Sequence, residues 1–164
     1  MGIFEITLLV ATLLCSLVAG LLFAFAVVTM PGLATLGDGE FLRSFQAIDR
    51  IIQNNQPVFL LVWMGSAVVL LASAVLGFGQ LDGVGRTMLV AAGVVYIVGV
   101  QVPTVTINVP LNNKVQTLQI DTMDETALKA ARQDFEPRWM RWNSVRTVLA
   151  SLVTVALLVL LLRI

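Results

Sequence analysis

The chain has 164 residues, of which 58% are hydrophobic and only 12% are charged, and its mean hydropathy is +0.92. Because soluble domains carry about 25% charged residues, this composition excludes an ordinary soluble protein and predicts an integral membrane protein. Ten basic and ten acidic residues cancel, so net charge gives no reason to expect nucleic-acid binding. The absence of histidine and the single cysteine, Cys15, argue against a haem, a zinc site or a disulfide.

Four stretches lack charged residues and mark candidate spans, at 6–37, 51–81, 87–113 and 147–162. The last is shorter than the roughly 20 residues that cross a bilayer, so the fourth helix is expected to begin before Arg146. Arg146 would then lie at the membrane edge or face into the bundle. The start of the chain lacks the basic residues of a signal peptide, so the first stretch is interpreted as a span. We predict an all-α, single-domain (1–164), four-helix membrane bundle with spans near 5–30, 57–79, 86–108 and 140–163.

The segments between the spans also show patterns. Residues 40–56 are predicted to form an amphipathic surface helix, with an apolar stripe of Phe41, Phe45, Ile48 and Ile52. Asp49 lies beside this stripe, either as a solvated charge or as the partner of a buried arginine. The polar stretch 113–136 is predicted to be a loop with a short helix starting at the capping-box pair Thr122 and Glu125, and Pro137 would open helix four.

Two features bear on the ends and faces of the helices. The segment 30–33, Met-Pro-Gly-Leu, is predicted to end helix one. Small residues at steps of four, Ser16, Gly20 and Ala24, are expected to pack within the bundle or, alternatively, to form a seam in a homo-oligomer. Eight of the ten basic residues fall on the side of the two long loops, which predicts that those loops are cytoplasmic in a cell inner or plasma membrane.

Polar residues near the end of the third span are the main candidates for a site. Gln101, Thr104, Asn108 and Asn112 follow one another at steps of three, four and four, which would place them on one helix face. Pro103 and Pro110 are expected to kink the helix or to stop it near Pro110. Buried carboxamides need partners, so they should point into the bundle or a cavity, either as a functional site or as structural hydrogen bonds between helices.

A second polar group opens the fourth span on the same side of the membrane. Trp139, Asn143, Arg146 and Thr147 share a helix face, and Trp142 lies close to them. Interfacial tryptophans commonly anchor spanning helices, but this role does not account for the Asn143–Arg146 pair. Because helix three ends on the side where helix four begins, and the surface helix with Asp49 is also there, these groups are expected to converge.

Four sequence blocks together resemble the anthrone oxygenase-like family of four-helix membrane proteins. They are Met-Pro-Gly-Leu at 30–33, Gln-Ala-Ile-Asp-Arg at 46–50, Asn-Val-Pro-Leu-Asn at 108–112, and Trp-x-x-Trp-Asn-x-x-Arg at 139–146. The blocks occur in the same order as in that family, and the resemblance covers nearly the whole chain. One departure is Asp49, which stands where many relatives are expected to have asparagine.

The resemblance implies an oxygenase that converts anthrones to anthraquinones without a metal, flavin or haem cofactor. Such chemistry needs a base, donors for a developing oxyanion and an apolar wall. Under this hypothesis Asp49, Asn108 and Arg146 are catalytic, with Asp49 as the base. The candidate substrate-binding residues are Asn112, Trp139, Trp142, Asn143, Gln101 and Thr104. In the structural alternative, Arg146 stacks on Trp142 or pairs with Asp49, and the asparagines cap helix ends.

Three classes of function therefore stay open. The first is a membrane oxidoreductase acting on a small aromatic or quinone-like lipophile. The second is a non-enzymatic protein that binds a lipid, another lipophilic ligand or a protein partner. The third, a transporter or channel, is disfavoured because transport sites usually lie near the bilayer midplane, whereas these polar residues gather at one rim.

Overall fold

The computed structural model describes residues 2–164, and over this range the chain forms long helices joined by short connections. Four helices are long and apolar enough to cross a membrane within the described residues: α1 (Ile3–Ala34), α3 (Pro57–Gly77), α4 (Gly83–Gln116) and α5 (Glu125–Leu161). The fifth helix, α2 (Asp38–Gln53), follows α1, and a single 3₁₀ turn (Ile120–Thr122) precedes α5. The predicted all-α membrane bundle is therefore confirmed, although α1, α4 and α5 extend beyond the predicted spans.

Helix α1 lies at the centre of the bundle and packs along both α3 and α5, while α4 packs mainly on α5. The core between them is apolar, with Leu8, Cys15, Leu70 and Leu157 fully buried. Because lipid is as apolar as these side chains, close packing rather than water exclusion holds such helices together. Gly77 shows how close the approach is, since a Cβ there would lie 2.5 Å from the Phe4 ring.

Proline does not end the helices where the sequence predicted. Within the described residues, three π-helical segments occur, and each ends two residues before a proline: Phe25–Thr29 before Pro31, Ile97–Gln101 before Pro103, and Thr104–Asn108 before Pro110. A proline ring clashes with the carbonyl four residues earlier, and a locally wider turn relieves that clash. Consequently α1 continues through the segment 30–33 to Ala34, which corrects the predicted end of helix one. Helix α4 continues past Pro110 to Gln116, so of the two predicted alternatives, a kink or a stop, the stop is wrong.

The polar segment before the fourth span is also more helical than expected. Asp124, not Thr122, caps α5, its side chain accepting from the Ala127 N–H at 2.8 Å. The helix then runs unbroken for 37 residues with Pro137 inside it. Pro137 and Gln133, whose carbonyl loses its partner, are both on the exposed side, where water can replace the missing bond. The predictions of a short separate helix and of a helix start at Pro137 are therefore wrong.

The amphipathic helix α2 is confirmed and covers one end of the bundle. Its Phe41 and Phe45 are buried against Phe135 and Trp139 of α5, with the rings of Phe45 and Phe135 4.5 Å apart. Arg132 ties this end together through hydrogen bonds from its guanidinium to the Ala34 and Leu36 carbonyls and to Asp38. The end of α1, the start of α2 and the first turns of α5 thus form one cap over the bundle.

The small-residue ridge of α1 does not pack as expected. Gly20 is exposed, and a Cβ added there would meet no atom within 4 Å. The predicted packing of this ridge inside the bundle is therefore wrong at Gly20, which faces outward.

Candidate functional site

A cavity of about 400 Å³ lies between the cap and the loop-side halves of the spanning helices. Every helix from α1 to α5 contributes to its wall. Seven of the nine candidate site residues line it: Asp49, Thr104, Asn108, Asn112, Trp139, Asn143 and Arg146. The polar groups that were predicted to converge therefore line a single cavity.

Helix α4 supplies one polar wall through residues at steps of four. Thr104 and Asn108 are buried, and Asn112, the next in the series, is partly buried. The two π segments before Pro103 and Pro110 carry the helix through this region without ending it. Short π segments are often found at functional sites, and here they deliver three polar side chains to one cavity.

Arg146 is the deepest charge in the cavity and is 3% exposed. Its guanidinium donates to Thr104 Oγ1 at 2.8 Å and to Asn143 Oδ1 at 3.2 Å. Both partners are neutral, so they satisfy N–H groups without cancelling the charge. A buried guanidinium within a spanning helix is costly, and such residues usually mark a functional site.

Asn143 holds Arg146 in place by joining α5 to α1. Its Nδ2 donates to the Leu22 carbonyl at 3.0 Å, in the turn just before the first π segment, while its Oδ1 accepts from Arg146. The carboxamide is fully buried, and these two contacts fix its orientation. The side chain therefore serves as a relay between the α1 backbone and the guanidinium.

Asp49 is the second buried charge and lies at the loop end of the cavity, 3% exposed. Three carboxamides donate to it: Asn112 to Oδ1 at 2.7 Å, and Gln53 and Gln116 to Oδ2 at 2.7 and 2.9 Å. All three donors are N–H groups, which suits a carboxylate because an ionised carboxylate only accepts hydrogen bonds. Since such a group offers about four acceptor positions, one is left for a further donor.

The two charges are not partners. Among the described residues, Asp49 and Arg146 form no ion pair with each other, and Arg146 does not stack on Trp142. Thr104, which holds Arg146, and Asn112, which holds Asp49, are eight residues apart on α4, a distance of about 12 Å along the axis. The cavity therefore has a cation at its inner end and a carboxylate at its outer end.

Two polar atoms in the wall are left without a partner. Asn108 donates through Nδ2 to the Trp139 carbonyl at 3.4 Å, but its buried Oδ1 has no hydrogen bond. The buried Nε of Arg146 also has none. Unsatisfied buried groups are rare in folded proteins, and here one acceptor and one donor lie behind the cavity surface without a hydrogen bond.

The rest of the wall is apolar and aromatic. Phe25, Phe45, Phe59, Leu60 and Trp63 line it, and the rings of Phe59 and Trp63 stack at 5.6 Å with a 20° angle between planes. The sequence does not single out Phe59, and it allows Trp63 to be either a lipid-facing or a packing aromatic, because a single aromatic in an apolar helix is typical of both. It also does not single out Gln53 and Gln116 as partners of Asp49. The sequence indicates this role only through their amide groups, which can donate hydrogen bonds to a carboxylate.

Two predicted site residues lie elsewhere. Neither Trp142 nor Gln101 lines the cavity, so their predicted role in substrate binding stays a prediction. Gln101 instead lies near the Tyr96 hydroxyl, in a buried group where Tyr96 Oη and Ser66 Oγ are 2.7 Å apart. Gln101 ends one π segment, Ile97–Gln101, and Thr104 begins the next, Thr104–Asn108, so regular helical spacing no longer describes their positions.

Comparison with known proteins gives one match. The family model described as Anthrone oxygenase matches residues 55–156, well over half of the chain. No curated protein and no solved structure matches the chain. The matched range contains Asn108, Asn112, Trp139, Asn143 and Arg146, whereas Asp49 and the rest of α2 precede it.

Proposed function

Because the chain belongs to the anthrone oxygenase family, we propose that it is a membrane oxygenase that oxidises a small, flat, anthrone-like aromatic compound with molecular oxygen. The observation that carries the proposal is the pair of buried, unpaired charges at opposite ends of one cavity. Arg146 is at the inner end, Asp49 is at the outer end, and aromatic walls lie between them.

The proposed chemistry begins with loss of a proton from the substrate. In an anthrone, the carbonyl and the acidic methylene lie on opposite sides of the central ring. A molecule bound with its carbonyl oxygen toward Arg146 therefore turns its methylene toward Asp49. Asp49 takes the proton, and the negative charge moves to the carbonyl oxygen, where the positive charge of the Arg146 guanidinium stabilises it.

The remaining steps need only oxygen as the oxidant. The enolate passes one electron to O₂, and the substrate radical and superoxide combine to form a peroxide anion at the former methylene carbon. The proton held by Asp49 then converts this anion into a hydroperoxide. Loss of water from this hydroperoxide gives the quinone carbonyl, so one anthrone and one O₂ yield one anthraquinone and one H₂O. The Asn108 side chain in the wall packs against the bound ring and helps to orient it between the two charges.

Turnover of a defined substrate tests the proposal. Purified protein in mild detergent is given emodin anthrone and oxygen, and quinone formation is followed by absorbance. The expected result is acceleration over the spontaneous rate, abolished in Arg146→Ala and Asn108→Ala variants that keep their helical circular dichroism. An equal rate with and without protein would overturn the anthrone oxidation.

One observation favours a second candidate, the binding of a lipophile without chemistry. Asp49 already accepts three hydrogen bonds, a pattern that also suits a purely structural carboxylate. A binding protein would retain the flat ligand in the cavity with the Arg146 and Asn108 contacts but return it unchanged. Ligand retention without quinone formation in the same assay would identify this function.

A further inference from the structure

The cavity has a side opening between two helices. Helix α3 packs against the Gly83–Tyr96 part of α4, near the turn that joins them. Beyond Ile97, α4 continues to pack against α5 but no longer packs closely against α3. The two helices therefore diverge toward the loop side, and the cavity lies in the resulting gap.

The residues along this gap belong to the cavity wall and to the outer surface at once. On α4, Val105 is 65% exposed and Val109 is 40% exposed, yet both line the cavity. On α3, Phe59 and Leu60 face them and are partly buried. A wall residue that is mostly exposed marks a place where the enclosed space reaches the surface of the bundle.

That surface is the part of the bundle that faces lipid. Val105 lies on a helix whose neighbouring outward residues, Val98 and Val102, are also exposed and apolar. In a spanning helix, such residues contact the acyl chains. The polar rim of the cavity, formed by Gln53, Asn55 and Asn113, is at the loop end instead. The side gap thus connects the cavity to the hydrocarbon layer.

We propose that the substrate enters the cavity sideways from the bilayer, through the gap bounded by Phe59 and Leu60 on α3 and by Val105 and Val109 on α4. The inference rests on the proposed function for the identity of the occupant, and it restricts the substrate to uncharged, planar molecules that dissolve in lipid. Such a molecule passes apolar side chains first and meets Arg146 and Asp49 only inside. Proton loss then occurs away from the lipid.

Chemical labelling of the cavity tests the route without requiring turnover. Leu22 lines the cavity and is 4% exposed, so Leu22→Cys places a thiol inside it, and Cys15→Ala removes the native thiol. In lipid vesicles, this variant is treated either with a long-chain alkyl maleimide dissolved in the bilayer or with a sulfonated, water-borne thiosulfonate. The lipid-borne reagent is expected to label the thiol faster.

Bulky residues at the gap should then block this labelling. Val105→Trp, or Leu60→Trp on the facing helix, should slow the lipid-borne reaction by about tenfold or more. Val102→Trp is the matched control, because Val102 is exposed on the same helix but does not line the cavity. Asn113→Trp tests the polar rim. Neither Val102→Trp nor Asn113→Trp should change the rate at which the lipid-borne reagent labels the thiol. The melting temperature of each variant is measured to show that its fold is unaltered.

Two results would overturn lateral entry. One is a lipid-borne rate unaffected by both Val105→Trp and Leu60→Trp, or no labelling by that reagent at all. The other is faster labelling by the sulfonated reagent that falls only in Asn113→Trp. Because the readout is thiol labelling and not quinone formation, the two proposals are tested separately. Lateral entry can fail while the oxygenase function stands, and the oxygenase function can fail while lateral entry stands.

Discussion

The indole Nε1 of Trp139 donates to Asn112 Oδ1 at 2.8 Å, and Asn112 Nδ2 donates in turn to Asp49 Oδ1 at 2.7 Å. The first bond decides which way the Asn112 carboxamide points, since its oxygen must face the indole. Its N–H group is then directed at the carboxylate. Trp139 of α5 thus orients the Asn112 carboxamide of α4, which in turn bonds to the buried Asp49 carboxylate of α2.

Replacing Trp139 by phenylalanine should loosen this arrangement without unfolding the protein. The ring contacts with Phe45 and Phe25 are kept, but Asn112 Oδ1 loses its donor, at a cost of about 1–3 kcal/mol. We expect a lower melting temperature and slower quinone formation. An unchanged rate in Trp139→Phe would show that the orientation of Asn112 does not matter for turnover.

Arg146→Met should separate stability from activity. Removing the charge recovers about 3 kcal/mol of burial cost, whereas the Asn143 Oδ1 left without a donor costs about 1–3 kcal/mol. The two effects nearly cancel, so the melting temperature in detergent should change little while quinone formation is lost. A strongly destabilised Arg146→Met would instead indicate that the guanidinium is chiefly structural.

Asp49→Asn tests the base. General base catalysis contributes about 10²- to 10⁴-fold, so the rate of quinone formation should fall by that factor. Gln53→Ala is the control, since it removes one donor to Asp49 but leaves the carboxylate in place. Because asparagine is expected at this position in many relatives, full activity of Asp49→Asn would remove Asp49 from the mechanism and leave the Arg146 end of the cavity.

Arg132→Ala should release the cap while leaving the bundle folded. The side chain is 15% exposed, bonds to Asp38 and Glu136, and lies 4.4 Å over the Phe41 ring. Its loss should accelerate amide hydrogen exchange across Asp38–Gln53. Lys114→Ala, which breaks the exposed pair with Asp134, should have almost no effect, as is usual for surface ion pairs. Equal exchange in both variants would contradict the role given to Arg132.

Gln101→Met should be tolerated. Gln101 lies outside the cavity, and its buried Nε2 has no hydrogen bond, so removing the amide relieves an unsatisfied group. We expect quinone formation at the original rate and a melting temperature that is equal or higher. A loss of turnover would place the Tyr96 group in the reaction after all.

Much of this arrangement could be predicted from the sequence, because a membrane restricts the possible structures so strongly. The length of uncharged runs identifies the spans, and counting crossings brings Asn108, Asn143 and Asp49 to one side. The hydrogen-bond partners could not be predicted in the same way. The sequence allows Asp49 to pair with Arg146, but in the structure each is bonded to neutral side chains instead. Which polar groups meet is determined only by three-dimensional packing.

The prolines account for several of the errors. Their usual effect in a helix predicts a stop, and nothing local in the sequence indicates that a wider turn will absorb the ring at Pro31, Pro103 and Pro110. At Pro137 the chain tolerates the missing donor because that face is exposed. The same pattern, a proline in a helical stretch, therefore has two structural outcomes, and both differ from the predicted one.

The π segments before Pro103 and Pro110 also set the rotation of α4 about its own axis. Each places one extra residue between its hydrogen-bond partners, and one residue of an α-helix corresponds to a rotation of about 100°. If either turn returned to regular pitch, Asn112 would swing away from Trp139 and Asp49. The angular alignment of this helix with its neighbours thus depends on two proline rings, at Pro103 and Pro110.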